Sequence, residues 1–267
     1  MKDMGRFYDK MMGRGFLVQQ LSITEIVGAY KKSFLGLTWM FVLPLLAVVI
    51  WVFLNGAGII DPGDTGMPYP AYVLLSTSIW GFYLEAYKST SNLLVTNGRM
   101  LIMAKVPFEP FITQKIVVHL INFIIPFLLN VIVLLFFGIR FSWWSLLFPL
   151  ALVPLFCLGL AIGMFTAILR IIAVDLGTII DEGMKLMMFL TPVVYTANVS
   201  AGYLQSIVKY NPLTYLVGLP RDVLVSGHIN HIWATVVCAS VSILIFFVTY
   251  RMLIKVGRRV LERLVNN

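Results

Sequence analysis

Six stretches of the chain run for 20 residues or more without an aspartate, glutamate, lysine or arginine: Ser33–Ile60, Thr65–Leu84, Ile116–Ile139, Phe141–Leu169, Leu186–Val208 and Val223–Tyr250. A helix needs about 20 predominantly apolar residues to cross the hydrocarbon of a bilayer, where every backbone polar group must be satisfied internally. Each stretch is long enough for one spanning helix, so an all-α integral membrane fold with six transmembrane helices is expected. With 60% hydrophobic and 12% charged residues, and a mean hydropathy of +0.91, the chain has too few polar groups to cover a water-facing surface.

The basic residues orient the spans. With the N-terminus inside, 17 of the 20 lysines and arginines fall on the cytoplasmic side, and only Arg140, Lys209 and Arg221 do not. That asymmetry places both termini in the cytoplasm of a multi-pass protein of the plasma or inner membrane. The chain reads as one transmembrane domain, 1–267, made of a cytoplasmic N-terminus (1–32), a six-span region (33–254) and a cytoplasmic tail (255–267). The basic N-terminus lacks the apolar stretch and cleavage site of a signal peptide. The net charge of +8 is spread beside the spans, which fits anionic lipid headgroups and not nucleic acid. No two spans repeat one another in sequence, which argues against an inverted-repeat transporter.

Before the first span, "SITEIVGAYKKS" sets Ser22 and Glu25 in capping-box spacing, with Ile23, Ile26, Val27 and Tyr30 on one helical face. The pattern predicts an amphipathic helix on the inner membrane surface, or an inward extension of span 1. The loop "GAGIIDPGDTGMPYP" is an irregular external turn. Span 5, if it starts near Ala173, carries Asp181 and Lys185 four residues apart, where they can pair.

Span 2 carries a stripe. At 100° per residue Tyr69, Tyr72, Ser76, Trp80, Tyr83 and Tyr87 fall within an arc of roughly 80°, while Glu85 and Lys88 lie well off it. Amphipathic rings stack on the apolar faces of sugars, so the stripe reads either as a carbohydrate path or as helix packing with two interfacial belts.

The segment "KYNPLTYLVGLPRDVLVSG" (209–227) is too broken for a span and too apolar for a loop. Asn211 is a good N-cap and Pro212 suits a first helical turn, whereas Pro220 ends or kinks the helix before Arg221 and Asp222. Broken backbone at membrane depth survives only against protein or water. A re-entrant external hairpin gating a pore is therefore expected, with Asn211, Pro212, Leu213, Leu216, Val217, Pro220 and Arg221 as its residues. The alternative is a helix lying flat on the outer surface.

Catalytic constellations are not legible. His119, His228 and His231 are scattered, Cys157 and Cys238 lie in apolar runs as buried free thiols, and the sequence has no phosphate-binding loop. No residue set for catalysis, cofactor binding or metal ligation is expected, and any nucleotide hydrolysis belongs to another chain.

Several segments resemble the permease subunits of type-2 ATP-binding-cassette exporters of cell-surface polysaccharides such as O-antigen and teichoic acid. "AYKKSFLGLTWMFVLP" resembles their first-span signature through Leu35, Gly36, Trp39 and Pro44. "NPLTYLVGLPRDVLVSG" resembles the motif before the last span through Asn211, Pro212, Leu213, Arg221 and Gly227. "TNGRMLIMAKVPFEP" is similar to the cytoplasmic segment after span 2, and "AVDLG" to the turn into span 5. Two departures are local: Val174 stands where the family usually has arginine before Asp175, and the Phe-Pro pair appears as Pro107-Phe108-Glu109-Pro110.

The resemblance implies a homodimer of six-span permeases, paired with two copies of a separate ATPase that binds ATP and magnesium. It also implies a path for a lipid-linked glycan. Asn97, Arg99, Lys105, Pro107, Glu109 and Pro110, together with the amphipathic helix, are the expected coupling elements to the ATPase. Alternatives are an exporter of the same superfamily for a small drug or lipo-oligosaccharide, a membrane-embedded glycolipid-modifying enzyme, and a membrane scaffold.

Overall fold

The computed structural model describes residues 15–28, 38–103, 107–197 and 202–265, and for a few of these, Arg99 among them, the backbone alone. The described residues form helices and connecting turns, with no strand. In chain order these are α1 (15–28), α2 (Trp39–Gly56), α3 (Tyr69–Ser91), α4 (Leu93–Met103), α5 (Glu109–Phe136), a 3-10 turn (Trp143–Leu147), α6 (Phe148–Ile172), α7 (Val174–Leu186), α8 (Gly202–Tyr210), α9 (Pro212–Val225) and α10 (Ile232–Val265). The protein is an all-helical, multi-pass membrane protein.

Among the described residues, four segments are long and apolar enough to cross a bilayer: Trp39–Gly56, Glu109–Phe136, Trp143–Ile172 and Ile232–Gly257. They match four of the six expected spans. The other two differ for distinct reasons. Helix α3 is 23 residues long, enough to cross, but it is less apolar, and 14 of its residues are buried within the chain, where polar side chains can find partners. The run Leu186–Val208 is no continuous helix. It opens where α7 ends, passes through tight turns in which Phe189, Leu190 and Thr191 each bond back three residues, and stops that pattern at Pro192.

The centre of the bundle is the pair α3 and α6, with α10 against the other side of α6. The apolar window of α6 is 61% buried, against 0% for α2 and 17% each for α5 and α10. Gly159 and Gly163, one turn apart on α6, allow the close approach of α3. A Cβ at Gly163 would stand 2.0 Å from Thr90 Oγ1 and 2.4 Å from the Tyr87 carbonyl oxygen, and one at Gly159 would stand 2.8 Å from the Tyr83 carbonyl oxygen. Small residues four apart are the common device for packing membrane helices, because association there rests on contact and not on hydrophobic exclusion.

Helix α1 is present but longer than its sequence signal. It is already formed at residue 15, so Ser22 is interior and buried, and Glu25 is no capping-box partner. The Glu25 carboxylate instead accepts from Lys115 Nζ at 2.7 and 2.9 Å and from Gln114 Nε2 at 2.5 Å. These bonds pin α1 to the first turns of α5. Phe16, Ile23 and Val27 remain exposed along the other face of α1. Tyr30 lies outside the described residues, as do Leu35 and Gly36.

Candidate functional site

The site region is where α9 meets α3 and the turns after α7. Asn211 caps α9 as its residue type favours: its Oδ1 accepts from Leu213 N at 2.9 Å. Its Nδ2 donates to the Leu190 carbonyl at 3.0 Å and to Thr191 Oγ1 at 2.9 Å, which ties the start of α9 to the irregular end of the α7 segment. Pro212 occupies the first turn, while Leu213, Leu216 and Val217 are buried. Pro220 does not end the helix, contrary to one of the two expected outcomes. Helix α9 runs through it to Val225, because tertiary contacts with α6, α10 and α3 hold both sides of the proline. Two consecutive short helices, α8 and α9, thus precede the last long helix.

Arg221, near the end of α9, reaches back to α3. Its Nη1 donates to Tyr72 Oη at 2.6 Å, to Ser76 Oγ at 3.3 Å and to the Pro192 carbonyl at 3.3 Å. Its guanidinium carbon lies 4.7 Å from the centre of the Tyr72 ring. Tyr72 Oη in turn donates to the Tyr195 carbonyl at 2.7 Å.

The six residues of the α3 stripe do fall together, but on the inner face. Tyr72, Ser76, Trp80, Tyr83 and Tyr87 are all buried, with exposures between 0 and 4%, and Tyr69 is half-buried. Their hydroxyls are engaged within the chain. Tyr69 donates to the Val194 carbonyl at 3.0 Å, Tyr83 lies 3.8 Å from Met184 Sδ, and Tyr87 donates to Asp181 at 2.5 Å. In this conformation the stripe is a packing face.

Asp181 pairs across helices, not with Lys185. Arg170 Nη2 donates to both its oxygens at 2.8 and 2.9 Å, while Lys185 pairs with Glu182 at 2.6 Å. Gly177 leaves room for the arginine, since a Cβ there would lie 2.9 Å from Arg170 Cζ. A charge on this α6–α7 seam is tolerated because it is paired and hydrogen-bonded.

The exposed face of α3 is the polar one. Gly81, Glu85, Lys88 and Asn92 recur every three to four residues on the side away from the tyrosines, and all are exposed in the single chain. Neither Glu85 nor Lys88 has an ion-pair partner within 4 Å among the described residues. Glu85, Lys88 and Asn92 follow the uncharged run Thr65–Leu84, at the end of α3 expected on the cytoplasmic side, where water and lipid headgroups can meet them.

Of the expected coupling residues, Asn97 lies in α4 and donates from Nδ2 to the Leu93 carbonyl at 3.1 Å. Glu109 and Pro110 form the first turn of α5. Pro107 and Glu109 line a groove of about 300 Å³ against Ile254, Lys255, Arg259 and Glu262 of α10. The Arg99 side chain and Lys105 lie outside the described residues.

His119 is a packed histidine, 4% exposed. Its ring is stacked on Phe156 at 5.0 Å and lies 4.4 Å from that of Phe82.

No family model matches the chain. It is 25% identical over 182 residues, 68% of each chain, to the O-antigen export system permease protein RfbA of Myxococcus xanthus. Two Klebsiella pneumoniae proteins of the same name are 24% and 22% identical over 208 residues, 76% of this chain and 77% of theirs. The chain is similar to O-antigen export permeases. The similarity covers 68 to 76% of the chain.

Sequence reasoning missed two things. The polar face of α3 was set aside as off the stripe, although its three- to four-residue spacing was visible. The partners of Arg221 and Arg170, Tyr72 and Asp181, lie 149 and 11 residues away, and no local periodicity points to either.

Proposed function

We propose that the chain is the membrane permease subunit of an ATP-driven exporter that moves a lipid-linked polysaccharide, of the O-antigen or teichoic-acid kind, outward across the plasma or inner membrane. The observation that carries the reading is the kinship with O-antigen export permeases over 68 to 76% of the chain. In this reading the chain is not an enzyme. Hydrolysis of ATP with magnesium falls to two separate ATP-binding-cassette subunits, and two permease copies enclose the path, with both termini cytoplasmic and six crossings in each copy.

The polar face of α3 supports the arrangement. A hydrated polymer cannot cross about 30 Å of hydrocarbon without groups that replace water. Glu85, Lys88 and Asn92 offer such groups at one end of a helix whose other face is fixed in the bundle, where the path opens to the cytoplasm. The path then runs along this face, and the tyrosine stripe becomes available to glycan only when α3 parts from the segment 181–195.

Coupling to the ATPase is assigned to the start of α5 and to α1, which Glu25 and Lys115 join. A movement imposed on one reaches the other through that ion pair. The external hairpin expected at 209–227 is read here as α9 together with the preceding α8, with its break at Asn211 and not at Pro220, and α1 lies on the inner membrane surface through Phe16, Ile23 and Val27.

The test is a deletion strain analysed for lipid-linked glycan. Accumulation inside the cell with loss from the surface, restored by the wild-type chain but not when the partner ATPase is inactivated, is expected. Unchanged surface glycan in the deletion strain would remove the reading.

A further inference from the structure

Beyond the α3 face lies a second polar feature, a cavity of about 350 Å³ where α3 begins, α9 ends and α10 starts. Among its walls are Tyr72, Tyr215, Arg221, Asp222, Asn230 and His231. We infer that this cavity binds a neutral, hydroxyl-rich sugar unit of the transported glycan. The inference rests on the export reading and adds to it a station inside one protomer.

The chemistry of the wall selects the ligand. A hydroxyl both donates and accepts, a guanidinium only donates, an ionised carboxylate only accepts, and an amide does both. All three partner types are present. Arg221 spends Nη1 on Tyr72, Ser76 and the Pro192 carbonyl and has no carboxylate within 4 Å among the described residues. Asp222 is held in place by Asn230, whose backbone N–H and Nδ2 donate to its Oδ2 at 3.2 and 3.0 Å. The half-buried Tyr215 meets His231 edge-on, with ring centres 6.2 Å apart, and supplies the aromatic surface that sugar rings pack against.

Charge decides between sugar classes. Asp64 joins Asp222 in the wall, so two carboxylates face one guanidinium, and a sugar acid or phosphate would meet net repulsion. The volume is near the lower end of small-ligand pockets, roughly 300 Å³ and above, which suits a short saccharide unit and excludes a thick polymer bundle. His231 adds an independent observation. With φ of 53° it is the one non-glycine residue in the left-handed region among the described residues, and backbone held there tends to cluster at binding sites and switches.

The experiment uses the purified permease in lipid nanodiscs and, as probe, oligosaccharides released by mild acid from the producing strain's own surface glycan. Binding is followed by saturation-transfer NMR and calorimetry. Ser226→Phe fills the cavity from an exposed position, and Asn230→Ala removes one exposed polar partner. Each is expected to weaken binding about tenfold or more while leaving membrane abundance and thermal stability at the wild-type level. Oligogalacturonate, an acidic comparator, is expected not to compete. Wild-type affinity in the Ser226→Phe variant, or equal competition by the acidic oligomer, would overturn the inference. The export reading fails separately, by normal surface glycan in the deletion strain. If that strain loses its glycan and the Ser226→Phe variant still binds the oligosaccharides normally, only the cavity assignment falls.

Discussion

Arg221 Nη1 donates to Tyr72 Oη at 2.6 Å while its guanidinium covers the Tyr72 ring, so one side chain of α9 grips one of α3 in two ways. A hydrogen bond to a charged group contributes roughly 1.5–3 kcal/mol, and an exposed or partly exposed cation–π contact about 0.5–1 kcal/mol. Arg221→Ala is therefore expected to destabilise the purified protein by roughly 1.5–3 kcal/mol. Tyr72→Ala combined with it should add less than its separate cost, which a double-mutant cycle in thermal unfolding measures. Full additivity would mean that the two side chains do not act as a pair.

The topology is tested best at exposed positions, because Leu213, Leu216 and Val217 are buried and would report packing instead of side. In a background lacking Cys157 and Cys238, Tyr210→Cys, 81% exposed in the native residue, is expected to react with an impermeant maleimide in intact cells. Glu262→Cys, on an exposed residue of α10, should react only after permeabilisation. The reverse pattern would invert the assignment of sides.

Trp80 and Glu85 separate packing from transport. Trp80 is 4% exposed, so Trp80→Ala should cost roughly 3–5 kcal/mol and lower protein abundance in proportion to export. Glu85 is exposed and has no ion-pair partner within 4 Å among the described residues. Glu85→Leu is expected to reduce surface glycan severalfold at unchanged abundance, read by immunoblot of the same cells. Normal export in the Glu85 variant would take the path off this face of α3.

The α3–α6 contact has a graded test. Gly163→Ala forces a Cβ to within 2.0 Å of Thr90 Oγ1, and overpacking of this kind costs roughly 1–3 kcal/mol or more. Gly183→Ala, on α7 with nothing within 4 Å of the new atom, should be neutral or stabilise by about 0.5–1 kcal/mol. Thermal unfolding of both in one detergent checks the order, and equal effects would contradict the close approach at Gly163.

Much of this protein is written in local sequence. The uncharged runs around α2, α5, α6 and α10 form the membrane-length helices that their length and composition favour, since hydrocarbon tolerates no unpaired backbone, and Asn211-Pro212 starts α9 because cap and proline act within one turn. Periodicity also placed Tyr72, Trp80, Tyr83 and Tyr87 on one face of α3. It could not say which way that face turns. In a bilayer an aromatic stripe suits lipid, a path or a neighbouring helix, and the choice was made by Gly159 and Gly163 drawing α6 onto it. The break after Leu186, the continuation of α9 through Pro220, and the pairing of Asp181 with Arg170 instead of Lys185 were likewise settled between helices. Contacts of that kind compete with local preference at energies of a few kcal/mol, and only the assembled bundle fixes which of them are made.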